Sequence, residues 1–221
     1  MPTRIHHPVT PALSSELIAG WGGVPTTIAT DVFRGRNLIN PAIRPIRAFA
    51  GRKRLVGRAV TAWCEPADYG PVHHAIAVAG PGAVIMIAAG GRLDVAMIGE
   101  LLGGAARRKK ISGVVVDGAV RDIGTLTQWE DFAVFARGVV ARGPLSMERG
   151  SVNDTIVVGG ISIAPGDLIL GDDDGVVAIA PDQAEDNLQA ALAMVEAERK
   201  WQEALASGQT TLEVFKVPAA V

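Results

Sequence analysis

The chain has a single cysteine and a single tyrosine among its 221 residues, and aromatic residues make up only 5% of it. One cysteine, Cys64, excludes an intramolecular disulfide and any four-cysteine zinc site, and it fits a reducing compartment. Charge of one sign is also missing. Lys and Arg total 21 against 23 Asp and Glu, a net charge of −2, so the chain as a whole has no electrostatic case for nucleic acid or an anionic membrane. Long apolar runs are absent too. The longest, such as "AVIMIAA" (83–89), fall far short of the ~20 residues a membrane helix needs. The opening "MPTRIHHPVT" lacks the apolar stretch of a signal peptide. These absences lead to the expectation of a soluble cytoplasmic protein with no membrane partner.

Apolar residues and glycine are abundant, at 48% of the chain and 26 residues respectively. That combination predicts an aliphatic core linked by tight turns. A short helix is expected at "SSELIAGWGG", capped by Ser14 or Ser15, then a loop and a strand near 54–63. A helix follows in "GPVHHAIAVAGPG", ended by Gly80-Pro81-Gly82. The apolar runs 83–89 and 112–118 predict strands buried on both faces, separated by a helix over 99–110. Past residue 130, "FAVFARG", "TIVVGGISI", "DLILG" and "GVVAIA" read as short strands. A long helix over 181–206 closes the chain, with Leu188, Leu192, Val195 and Leu205 on one face and Trp201 extending it. The expected fold class is α/β, with a β-rich second half and a long C-terminal helix. No linker is evident, so one domain is expected over 1–221, with an ordered core at about 12–206.

The stretch "GVVVDGAVRD" (113–122) runs a buried strand into what reads as a charged turn beginning at Asp117-Gly118. A helix over 99–110 and a strand over 112–118 joined by a tight connection must run antiparallel. Gly99, Glu100, Leu101 and Leu102 then face Asp117-Gly118 and Arg121-Asp122. A helix N-terminus offers free N–H groups to an anion, and Arg121 can clamp a carboxylate or enolate oxygen. Asp122 is a hard oxygen ligand suited to Mg²⁺ or Mn²⁺. Together they suit a 2-oxo acid. The same residues also read as a plain turn and a structural Arg–Asp ion pair, and at this point both readings stand.

The spacing carries a resemblance. Glu100, twenty residues of any kind, then Arg121-Asp122 is similar to the signature of the RraA-like proteins. That family includes the metal-dependent 4-hydroxy-4-methyl-2-oxoglutarate (4-carboxy-4-hydroxy-2-oxoadipate) aldolases. "FARGVVARG", "VVGGISIAPGDLILGDDDGVVAIAP" and the Glu-rich final helix resemble the family's second half, so the likeness covers most of 14–200. The chain departs from the pattern at Glu100, where the aldolases commonly have Asp, and at Ala88-Ala89, where relatives often carry Asp.

The resemblance implies a compact layered fold assembled as a homotrimer or homohexamer, with sites near subunit interfaces. Arg121 would bind substrate and Asp122 would bind the metal directly. Glu100 would hydrogen-bond metal-bound water, and the backbone of Gly99 to Leu102 would hold the pyruvyl carboxylate. A glutamate from a neighbouring subunit's tail is also implied, with Glu196 and Glu198 as candidates. The implied reaction is retro-aldol cleavage of a 4-hydroxy-2-oxo acid to pyruvate, with oxaloacetate decarboxylation as a second activity. Some RraA-like proteins instead bind and inhibit RNase E, which is the alternative reading.

A Schiff-base aldolase needs a desolvated lysine, and Lys53, Lys109, Lys110, Lys200 and Lys216 all lie in polar or terminal stretches. His73-His74 would point about 100° apart on a helix, which argues against a shared metal. Asp172-Asp173-Asp174 reads as a solvated hairpin turn. Arg107 to Lys110 read as cations at a helix C-terminus. Neither a P-loop nor a dinucleotide fingerprint is present.

Overall fold

The computed structural model describes residues 2–10, 13–51, 53–65 and 68–220. The expected core boundary at Ala12 and the domain limits Met1 and Val221 lie outside them. The elements follow in chain order. Strand β1 (Arg4–Ile5) precedes helices α1 (Ser15–Gly22) and α2 (Thr26–Val32) and strands β2 (Arg44–Pro45) and β3 (Leu55–Cys64). Helix α3 (Gly70–Val78), strand β4 (Val84–Ile98), helix α4 (Glu100–Arg108), strand β5 (Gly113–Val120) and helix α5 (Ile123–Leu126) come next. The second half holds β6 (Ala133–Val139), β7 (Gly150–Val152), β8 (Ile156–Val158), β9 (Ile161–Ile163), β10 (Leu168–Asp172) and β11 (Gly175–Ile179). It ends in α6 (Pro181–Ala206) and α7 (Thr211–Val214).

Strands β3, β4, β5 and β6 pair in parallel at the centre of the main sheet, with β7 and β1 continuing one side and β2 the other. The hairpin β10–β11 joins through the first half of β3, and β8–β9 forms a separate hairpin. The apolar run in β4 shows why this centre forms. Ile85, Ile87 and Ala89 enter the core beneath α3 and α4, while Val84, Met86 and Ala88 enter the core on the opposite face with Phe49, Phe135, Ile156 and Ile163. Burial of alternate residues on opposite faces is the expectation for a strand flanked by parallel neighbours. A third core packs Trp21 and Ile28 of α1 and α2 against Leu168, Val177, Ala184 and Ala191. Ser14 caps α1, its Oγ accepting from Leu17 N at 3.1 Å.

Two strand ends differ from expectation. Strand β4 does not stop at Ala89 but runs on to Ile98 with three register shifts against β5. Gly90 and Gly91, at φ +64° and +73°, let the chain bend through conformations that side chains disfavour and still resume pairing. Asp117-Gly118 is not a turn, because β5 continues through it to Val120. The Asp117 carboxylate is tolerated there because Arg137 on β6 pairs with it and Gly159 N donates to it at 2.7 Å.

Helix α6 has the expected bounds, but its buried stripe is centred on Ala184 and Ala191, with Leu188, Met194 and Val195 packed beside them. Leu192 is exposed because it lies about 80° around the helix from Ala184, at the edge of this stripe. Trp201 extends the packing outward, stacking edge-on against Phe215 beyond α7 at 5.3 Å between ring centroids.

Asp172 is buried rather than solvated. Its carboxylate accepts from Thr26 N at 3.0 Å and from Thr26 Oγ1, and it pairs with Arg54 at 3.3 Å. Only Asp173 and Asp174 form the hairpin tip, and Asp173 accepts from Phe49 N at 2.7 Å.

Candidate functional site

Strand β5 leaves the sheet at Val120, and Arg121 N still donates to Ile98 O at 3.0 Å, which ties the exit of β5 to the end of β4. The next residue, Asp122, adopts the left-handed conformation at φ 58° and ψ 36°. Aspartate tolerates that region better than most residues. The bend turns the Asp122 carboxylate back onto the start of α4, where Oδ2 accepts from Glu100 N at 3.0 Å. Asp122 therefore serves as the anionic group at an N-terminus whose own N-cap residue, Gly99, makes no side-chain bond.

Gly99 is required by space rather than by conformation. Its φ of −144° is open to any residue, but a β-carbon there would run into Asp122 Oδ2 and lie 2.8 Å from Arg121 Cγ. Glu100 is exposed and held from α5, Thr125 Oγ1 donating to its Oε2 at 2.8 Å. Arg121 Nε lies 3.6 Å from Asp122 Oδ2, and both side chains are more than a third exposed. Leu101 is 75% exposed, whereas Leu102 packs on the core beneath α4.

The antiparallel helix and strand thus bring Gly99, Glu100, Arg121 and Asp122 together. Asp117 stays apart, engaged with Arg137 and Gly159. The Glu100 N–H is committed to Asp122, which leaves the first-turn N–H groups of Leu101 and Leu102 for a ligand.

The donor set fits a hard divalent cation. Among the described residues, Asp122 Oδ1 accepts no hydrogen bond, the Asp122 side chain is partly exposed, and Glu100 meets it through its backbone N–H. Neither thiol nor imidazole enters the set. No three His, Cys, Asp or Glu among the described residues gather into a closed metal cluster. A cation here would keep positions for water and substrate, as Mg²⁺ commonly does with one or two protein carboxylates.

Other candidates behave as structural groups. His73 rests against the Tyr69 ring at 5.0 Å, and burial, with His74 beside it, lowers its pKa. Cys64 is buried, and burial, with Asp68 nearby, pushes its thiol far up. All five lysines are exposed. Lys109 Nζ is occupied at the C-terminal end of α3, donating to Ile76 O at 2.7 Å and Ala77 O at 2.6 Å. Arg107 pairs with Asp131 at 2.6 Å and lies over the Trp129 ring. Glu196 bonds Arg199 on its own helix, and α6 packs on α1 and α2 rather than on α4. The site also lies outside the largest cleft described, of about 770 Å³, which His7, Lys53, Arg58 and Ser112 help to line at the opposite ends of the strands. It is an open surface of this chain.

Two contributors had no signal in the sequence. Thr125 is found only because α5 turns it toward Glu100, and Gly143 only because its chain segment crosses Arg121.

Residues 26–178 match the family described as RraA-like, Aldolase/RraA. The chain belongs to the RraA-like family. A relative from Halalkalibacterium halodurans named "Putative 4-hydroxy-4-methyl-2-oxoglutarate aldolase" is 36% identical over 176 residues, covering 80% of this chain and 82% of its own. The solved structure of an uncharacterized protein from Pseudomonas syringae pv. tomato superposes with a TM-score of 0.81 at 26% identity, over 92% of this chain and 98% of that one. The structure of "the RNA-processing inhibitor RraA from Thermus thermophilis" gives 0.62 at 28% identity, over 70% and 92%. The α/β sheet and long C-terminal helix of this RraA-like chain agree with those folds. The shared span includes α4, β5 and α5, so the Glu100 to Asp122 arrangement lies inside the family region.

Proposed function

We propose that the chain is a divalent-metal-dependent aldolase that cleaves a 4-hydroxy-2-oxo acid, such as 4-hydroxy-4-methyl-2-oxoglutarate, to pyruvate, with oxaloacetate decarboxylation as a second activity. The observation that carries this reading is the convergence of Asp122, Arg121 and Glu100 on the N-terminus of α4. Asp122 would hold Mg²⁺ or Mn²⁺, which when bound supplies Lewis-acid stabilisation of the enolate oxygen. The guanidinium of Arg121 would share that charge, a stabilisation that grows as the C3–C4 bond breaks. The N–H groups of Leu101 and Leu102 would orient the pyruvyl carboxylate. Glu100, fixed by Thr125, would accept the proton of the C4 hydroxyl through one water.

The metal route is favoured over a Schiff base by the exposure of every lysine, because a Schiff-base lysine is usually desolvated and none here is. Chelation with EDTA should abolish pyruvate release, and Mg²⁺ or Mn²⁺ should restore it. Full activity in EDTA, with a borohydride-trapped lysine adduct, would overturn this reading.

The open face of the site, with Leu101 exposed beside it, favours completion by a second copy of the chain in a trimer or hexamer. Glu196 or Glu198 of a neighbour is the candidate contribution. The likeness to an RNA-processing inhibitor supports a second reading, a regulator of RNase E. Binding of RNase E by a folded protein that turns over neither substrate would favour it.

A further inference from the structure

We infer that Gly143, outside the Glu100–Arg121–Asp122 set, is a positioning residue whose missing side chain makes one wall of a slot for the Arg121 guanidinium. Gly99 makes the other wall. A β-carbon at 143 would lie 2.5 Å from Arg121 Nη1 and 3.4 Å from its Cζ. One at 99 would lie 2.8 Å from Cγ and 3.1 Å from Nε of the same side chain. The arginine is thus confined along its length by two glycines, one at the aliphatic stem and one at the tip. Neither glycine has a positive φ, so space rather than backbone conformation explains both.

The wall at Gly143 is held in place from both ends of its segment. After β6, Val140 N donates to Val120 O at 3.0 Å and Ala96 N donates to Arg142 O at 2.8 Å. On the far side, Ser146 Oγ donates to the fully buried Asp68 at 2.6 Å, and Tyr69 N donates to Ser146 O at 3.1 Å. Gly70, at the start of α3, allows Met147 O to approach closer than any side chain would permit. The segment over 140–147 is therefore a fixed strap across the arginine. A guanidinium held this way keeps its N–H fork aimed without losing side-chain freedom when substrate arrives.

This inference rests on the reading that Arg121 binds the substrate, and the test separates the two. Alanine at 143 would meet only the tip of a flexible side chain, so Gly143→Ala should fold with an unchanged thermal midpoint. It should lower kcat/KM for oxaloacetate roughly 10- to 100-fold, mainly through KM, as misplacement of a substrate-holding group does. Manganese affinity should stay at the wild-type value. In an Arg121→Ala background the same change should have no further effect, the mark of two residues acting as one unit. In arginine-labelled protein, the Nε–H resonance of Arg121 should shift in Gly143→Ala.

An unmoved resonance, or a full-sized kinetic loss that persists without Arg121, would overturn the slot. A shifted resonance with a fully active Arg121→Ala variant would uphold the slot and instead overturn the role given to Arg121.

Discussion

On the proposed reading Asp122 has two tasks in one carboxylate. Oδ2 satisfies the orphan N–H of Glu100 at the start of α4, and Oδ1, which accepts no hydrogen bond among the described residues, is left for the proposed cation. The left-handed backbone that makes this possible is uncommon for a residue with a side chain, and such strain concentrates at functional positions. Glu100 depends in turn on Thr125, whose hydroxyl fixes one of its oxygens. Replacing Thr125 with valine keeps the shape and removes that donor. Activity should fall by about 10- to 100-fold, the range for groups that orient a metal's outer partners, while the melting temperature stays close to wild type. Wild-type kinetics in Thr125→Val would show that Glu100 needs no orientation. At this scale the sequence was informative where spacing carried the signal. Glu100, Arg121 and Asp122 are legible because a helix and strand of known rise must bring them together. Thr125 and Gly143 are not, because their roles arise from a short helix and a loop whose paths no periodicity dictates.

At the scale of elements, apolar runs and amphipathic stretches located α1, β3, α3, α4, the first parts of β4 and β5 and the whole of α6, because they report burial directly, whereas α2 gave no such signal. These patterns failed where glycines or charges interrupt an element that pairing nevertheless sustains. Gly90 and Gly91 read as an end of β4, yet its neighbour β5 keeps it in the sheet. Asp117 reads as a turn, yet Arg137 on the adjacent strand neutralises it inside the sheet. That pair is a cross-strand fact invisible to a local reading. It has an energetic consequence, because removing Asp117 leaves Arg137 with a partly buried and unpaired charge. Asp117→Ala should lose roughly 3–5 kcal/mol of stability, measured by urea unfolding. A loss under about 1 kcal/mol would mean that the pair behaves like an exposed surface bridge. Leu192 was misplaced for a related reason. Helical spacing gives the direction of a face but not its width, and Leu192, about 80° around the helix from Ala184, falls outside the buried stripe.

At the scale of the whole molecule, no helix among the described residues is long and apolar enough to cross a membrane. Large apolar side chains nevertheless stand exposed on the segments around the site, with Leu101 at 75% and Leu145 at 86%. On the proposed reading a neighbouring copy covers part of this surface. Light scattering coupled to size exclusion should therefore give three or six times the 23.0 kDa chain mass, and a stable monomer with full activity would contradict assembly as a condition of function. The proposal as a whole turns on whether the charges after β5 perform chemistry. The most direct measurement is pyruvate release from 4-hydroxy-4-methyl-2-oxoglutarate with Mg²⁺, comparing wild type with folded Asp122→Ala and Arg121→Ala variants. Metal-dependent turnover is expected in the wild type, with losses of about 100-fold or more in each variant, if this site is catalytic. Turnover that survives both substitutions would contradict it.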